Sequence, residues 1–171
     1  MTASDEFFHT PRLIARPFRQ GDLDFLCQMQ ANGRVMRYIT GRAKSPQESE
    51  EELGRILNAY TCRSNGFLVM ALEQAATGGL IGSCAVIGDE IGFRLDEPFW
   101  SHGYGREVFA GLSVYCLETL GMAEVTAEVD EDNTACIRIL ESGMTRIGIS
   151  TDPYSGKRSY RYLLTAASMK R

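Results

Sequence analysis

The run Glu90-Ile91-Gly92-Phe93-Arg94-Leu95 reads as a strand. It passes through Asp96 to Trp100 into Ser101-His102-Gly103-Tyr104-Gly105-Arg106-Glu107 and then into a long apolar helical stretch. This order confines the middle of the chain to one local structure: a strand, a glycine-bearing turn, and a helix whose N-terminus faces the turn. The glycines let the backbone come close to an anion, and the unpaired N–H groups and positive dipole end of the helix attract it. The ligand that such a turn fits is a pyrophosphate. A Gly-x-Gly on its own is equally an ordinary strand-to-helix turn, so the rest of the chain has to decide.

A length of 171 residues is expected to form one domain, residues 1–171, able to bury about two-thirds of its unfolded surface. Hydrophobic residues are 44% and charged residues 23% of the chain, and no apolar run is long enough for a bilayer, so no membrane partner is expected. Met1 to Thr10 carries Asp5 and Glu6 and lacks the basic-then-apolar pattern of a secretion signal. A cytoplasmic protein is expected. The cysteines Cys27, Cys62, Cys84, Cys116 and Cys136 are widely spread and lack zinc-site spacing. They read as reduced core residues, and with His9 and His102 far apart no metal is expected. The formal net charge of -4 and the lack of a long basic cluster argue against nucleic acid. An acidic surface suits a cationic partner.

The remainder reads as a continuous alternation. Arg12 to Phe18 is a first strand, and Asp22 to Gln30 a short helix closed by Asn32-Gly33. Ser45-Pro46-Gln47-Glu48 is a capping box opening a second helix, with Leu53, Ile56, Leu57 and Tyr60 at helical spacing and its acidic run on a solvated face. Phe67 to Leu72 and Leu80 to Ile87 are nearly continuous apolar runs around Thr77-Gly78-Gly79, as in a hairpin covered on both faces. Val108, Phe109, Leu112, Cys116 and Leu120 place the helix after the glycine turn against the sheet. Val125, Ala127 and Val129 alternate with Glu124, Thr126 and Glu128 in a strand; Asn133 to Ser142 is the last helix. Ile147 to Thr151 and Arg158 to Leu164 close the chain as a ribbon.

Taken in order, these segments resemble the GNAT superfamily of acetyl-coenzyme A-dependent N-acetyltransferases, and within it the branch of the ribosomal-protein alanine acetyltransferases. Thr10-Pro11-Arg12-Leu13-Ile14-Ala15-Arg16-Pro17 is similar to that branch's opening strand, and Val35-Met36-Arg37-Tyr38-Ile39 to its segment after the first helix. Trp100 to Glu107 resembles the branch's pyrophosphate loop, Trp-Gly-Lys-Gly-Tyr-Ala-Thr-Glu, with His102 in the place of the lysine. Asn133 to Glu141 resembles its Asn-x-x-Ser helix. There are departures. Cys136 stands where the branch has serine, the turn after the helix is contracted to Ser142-Gly143-Met144, and Leu140 stands where some family members carry a catalytic tyrosine.

The resemblance implies an α/β, GNAT-like fold: a mixed, mostly antiparallel central sheet of about seven strands with four helices packed on both faces. It implies acetyl-coenzyme A as co-substrate and a small-molecule or peptide amine as acceptor, a protein N-terminus or a small polar amine, in a monomer or homodimer. Leu95, Ser101, His102, Gly103, Tyr104, Gly105, Arg106 and Asn133 are then the coenzyme-binding residues. Acetyl transfer by direct attack in a ternary complex asks for a base to deprotonate the amine, a backbone N–H for the developing oxyanion and a proton for the departing thiolate. Glu128, five residues before Asn133, and Glu90, on the strand before the loop, match positions where family members place the base. Cys136 is a candidate proton donor, or a small core residue. Each glutamate is equally a solvent-facing side chain on an alternating strand. A non-catalytic coenzyme A-binding module is the alternative reading. A dinucleotide-binding Rossmann fold fits less well, because the glycine turn follows several strands and its fingerprint's third glycine is missing.

Overall fold

The computed structural model describes residues 5–62 and 66–169. Strands β1 (Phe8–His9), β2 (Leu13–Arg16), β3 (Phe67–Gln74), β4 (Leu80–Ile87), β5 (Glu90–Leu95), β6 (Glu124–Asp130), β7 (Thr145–Thr151) and β8 (Arg158–Thr165) form one sheet in the order β1-β2-β3-β4-β5-β6-β8-β7. Every neighbouring pair is antiparallel except β5 with β6. Helices α1 (Leu23–Gln30), α2 (Gly33–Met36) and α3 (Pro46–Thr61) precede β3; α4 (Tyr104–Val114) and α5 (Thr134–Leu140) flank β6; α6 (Ala166–Met169) follows β8. The expected mixed sheet is present with one more strand than expected, the two-residue β1.

The hairpin β3–β4 shows why its sequence is apolar throughout. Val69 and Ala71 belong to a core shared with Leu26, Met29, Met36, Leu53 and Ile56 of α1 to α3. Met70 and Leu72 belong to the opposite core, with Val108, Phe109 and Leu112 of α4. Alternate residues from Val69 to Leu72 thus serve opposite layers, and the exposed Ile87 stands only at the hairpin's end. The strand β6 follows the other pattern: Val125, Ala127 and Val129 are buried, whereas Glu124 and Glu128 are exposed. The capping box of α3 forms as read, with Ser45 Oγ accepting from Glu48 N and the Glu48 carboxylate accepting from Ser45 N.

Three expectations need correction. Asn32-Gly33 does not close α1; the Asn32 side chain accepts from Arg34 N and opens α2, a four-residue helix too short to leave a periodic signature. The acidic run of α3 is not wholly solvated, because Glu52 is largely buried between Lys44 and Arg94 and accepts from Gln30 Nε2 at 3.0 Å. All five cysteines are free, but Cys62 is exposed at the end of α3 rather than in the core. The long helix after the glycine turn winds down through a π-turn, Tyr115–Thr119, and stops before Gly121.

Candidate active site

β5 and β6 are parallel neighbours that touch at one register pair, Glu90 opposite Thr126, with Thr126 N donating to Asp89 O at 2.8 Å. Beyond that pair the strands diverge, one running to Leu95 and the other to Asp130. Backbone groups of residues 92–95 that point towards β6 therefore have no strand partner. The sheet is open at the carboxyl ends of two parallel strands, joined by the crossover through α4, which is where ligands bind in open α/β sheets. An extended molecule carrying its own amides can pair with such edges as a strand does.

The start of α4 closes one end of this split. Gly103 is its N-cap with φ 82°, Ser101 also has a positive φ of 63°, and no side chain caps the helix. Uncapped N–H groups of the first turn are thus free to meet an anion. His102 Nδ1 lies 2.6 Å from Trp100 O, and the Tyr104 hydroxyl accepts from Gln74 Nε2 at 2.8 Å. Arg106 is exposed and forms no ion pair among the described residues. Leu95 is buried, and its carbonyl accepts from the Trp100 indole at 2.8 Å, fixing the turn beneath the loop. A Cβ on Gly105 would sit 2.8 Å from Ile139 Cδ1 and 3.4 Å from Phe93 Cε2. The absent side chain at Gly105 thus serves the approach of α4 to α5 and β5, and Gly103 makes the turn.

Glu90, Gly92 and Arg94 alternate with the apolar residues of β5, and Thr126 and Glu128 with those of β6, so both candidate carboxylates project from the sheet face opposite α4. Glu90 stands at the joined end of the split and Glu128 two residues along β6 from its partner Thr126. Partial desolvation, then the charge of Glu128 and that of Asp89, raise the Glu90 carboxyl, with Arg161 opposing. Glu128 Oε1 accepts from Ser150 Oγ at 2.6 Å, and Arg161 is its register partner on β8. Asn133 caps α5, its Oδ1 accepting from Cys136 N at 3.3 Å. Burial pushes the half-buried Cys136 thiol up to about 11. Leu140 is core, and Tyr162, fully buried, donates to Glu141 Oε1 at 3.1 Å.

Sequence reasoning passed over two groups at this site. The Tyr38 hydroxyl donates to Asp132 O at 3.2 Å, tying the segment after α2 to the turn between β6 and α5. Arg12 and Glu107 meet beside the glycine loop, with Arg12 Nε and N donating to the two carboxylate oxygens at 2.7 Å each. The partners are 95 residues apart, a separation that no local pattern bridges. Among the described residues no cluster of three or more His, Cys, Asp or Glu has the arrangement to hold a metal ion. No helix among them is long and apolar enough to cross a membrane.

Residues 12–145 match the family model of the acetyltransferase (GNAT) domain. The uncharacterized N-acetyltransferase p20 of Bacillus licheniformis is 26% identical over 146 residues, covering 80% of each chain. Among solved structures, a GNAT-family acetyltransferase from Bacillus anthracis superposes with a TM-score of 0.82 at 19% identity, covering 94% of this chain and 98% of that one. The spermidine N-acetyltransferase of Vibrio cholerae, solved with CoA and spermine, superposes with a TM-score of 0.79 at 19% identity, covering 93% and 98%. At such identities the superpositions speak for the fold alone.

Proposed function

The chain belongs to the GNAT acetyltransferase family and is an acetyl-coenzyme A-dependent N-acetyltransferase, and we propose that it acetylates a primary amine, a protein N-terminus or a small polar amine, by direct attack in a ternary complex. The observation that carries this reading is the split itself: one register pair joins β5 to β6, the uncapped α4 stands at one end, and two carboxylates stand on the open face. Acetyl-coenzyme A supplies the acetyl group in activated, thioester form. The residues present fit its pyrophosphate: a left-handed Gly103, a helix start without a side-chain cap, and the exposed Arg106 as a nearby cation. Ser101, His102, Gly103, Tyr104, Gly105 and Arg106 form that seat, and Asn133 flanks it from α5.

Glu128 removes the proton of the bound amine, directly or through a water. Ser150 occupies one of its oxygens and leaves the other for that task. Glu90 is its neighbour, close enough for the two charges to interact, and is the alternative base. An N–H of residues 92–95 that β6 leaves without a strand partner would serve the developing oxyanion. Cys136 is read as a packing residue rather than the proton donor, because burial raises its thiol to about 11 and makes it a poor acid. The acidic net charge favours a cationic acceptor, and Vibrio cholerae spermidine N-acetyltransferase, of the same fold, was solved with the polyamine spermine. The chain is read as a cytoplasmic protein. A thiol-release assay over a panel of polyamines, amino acids, aminoglycosides and peptides with free N-termini tests the acceptor. Release above hydrolysis for one class identifies it; none across the panel overturns the acceptor reading.

A further inference from the structure

Glu107 sits in the first turn of α4, where its charge suits the helix dipole but opposes an incoming phosphate. It is taken out of the way. Its Oε1 accepts from Thr10 Oγ1 at 2.6 Å and Arg12 N at 2.7 Å, and its Oε2 accepts from Arg12 Nε at 2.7 Å. Partial burial works to raise this carboxyl, but the bonds from Thr10 and Arg12 outweigh it and hold it below the ordinary range.

The same guanidinium reaches further. Arg12 Nη1 donates to His102 O at 3.0 Å, its Cζ lies 4.2 Å from the Tyr104 ring centroid, and Nη2 comes within 3.4 Å of where a Gly103 side chain would begin. A carbonyl held by Arg12 on one side leaves the peptide's own direction fixed between Ser101 and Gly103, both of which have a positive φ. That conformation is costly for Ser101, a non-glycine residue, and persists only if something holds it.

We propose that Arg12 is a positioning residue for the pyrophosphate loop: its planar fork, spanning Glu107 and the His102 carbonyl, sets the loop backbone that receives the coenzyme's phosphates. This rests on the reading of Ser101 to Arg106 as the pyrophosphate seat. A lysine keeps the charge but not the fork, so charge and geometry are separable.

The test measures the affinity of wild type, Arg12→Gln and Arg12→Lys for acetyl-coenzyme A and for acetyl-pantetheine, which lacks the pyrophosphate. The ratio of the two affinities within one variant is independent of how much of it is folded. Wild type is expected to prefer acetyl-coenzyme A. Arg12→Gln is expected to lose roughly tenfold or more of that preference, the equivalent of one charge-assisted contact. Arg12→Lys is expected to recover little of it. Full recovery by lysine overturns the positioning role in favour of a field effect, and an unchanged ratio in Arg12→Gln overturns any role for Arg12. A wild type that shows no preference for the pyrophosphate-bearing form brings down the seat itself, and the Arg12 proposal with it.

Discussion

Glu90 and Glu128 are ordinary residues by sequence, each one polar position on an alternating strand. Their interest comes from standing on adjacent strands that part company between them. Because Glu128 raises the Glu90 carboxyl and desolvation raises it too, Glu128→Gln is expected to lower the Glu90 titration midpoint without returning it to the ordinary value. Carboxyl carbon NMR across pH 3–8 reads this directly, and an unmoved midpoint means the two side chains do not interact. With Glu128 as the base, the same substitution lowers kcat by roughly 10²-fold while leaving coenzyme affinity nearly unchanged. Glu90→Gln is the matched comparison, and a larger loss there transfers the role. Cys136→Ala, by contrast, is expected to keep kcat within about threefold, since a thiol raised by burial has little to donate; a loss beyond tenfold restores it as the proton source. Both carboxylates and the glycine loop were legible because strand alternation and helix-start composition are local. Arg12 was not, because an ion pair across 95 residues exists only once β2 and α4 are side by side.

Elements long enough to carry a period were readable; the shortest were not. The two residues of β1 and the four each of α2 and α6 hold about one repeat of their own pattern, too little to show a period, and tertiary contacts make them. Burial of a single charge is hidden for a related reason. In α3, Glu50 and Glu51 are exposed and Glu52 is not, yet the helix period alone does not tell a core-facing glutamate from an error in phase. Glu52 joins three elements: Lys44 before α3, Gln30 of α1, and Arg94 of β5, whose Nε also donates to Ser83 Oγ at 2.9 Å. Burial works to raise its carboxyl, but Arg94 and Lys44 outweigh it and hold it at about 2. A carboxyl depressed in the folded state favours folding above its unfolded value. That contribution is lost as pH falls from about 4.5 towards about 2. Glu52→Gln leaves two buried cations short of a partner and is expected to cost roughly 2–4 kcal/mol at pH 7. The cost should shrink through that acidic window. Urea unfolding at pH 7 and pH 3.5 checks both, and an equal loss at the two values means the charge is not what matters.

The whole molecule is a sheet in two parts, β1 to β5 and β6 with β8 and β7, whose direct strand contact is one register pair supplemented by the packing of α4 and α5. A ligand laid in the split touches both parts, so its binding energy is expected to appear as stability of the entire fold. Acetyl-coenzyme A at a hundred times its dissociation constant adds about 2.7 kcal/mol to the folded state. For a domain of this size that is a rise in Tm of roughly 5–10 °C. NAD and ATP also carry phosphates that the α4 N-terminus attracts. They lack the extended amide-bearing arm that can pair with the open edges of β5 and β6, and are expected to move Tm by no more than about a quarter as much at equal concentration. Pantetheine has the arm without the phosphates and should fall between them and the intact coenzyme. Scanning calorimetry with the four compounds separates the contributions. Equal stabilisation by ATP and acetyl-coenzyme A assigns the whole effect to the helix terminus and leaves the split without a role, whereas the predicted order requires both the helix terminus, which meets the phosphates, and the split, which meets the arm.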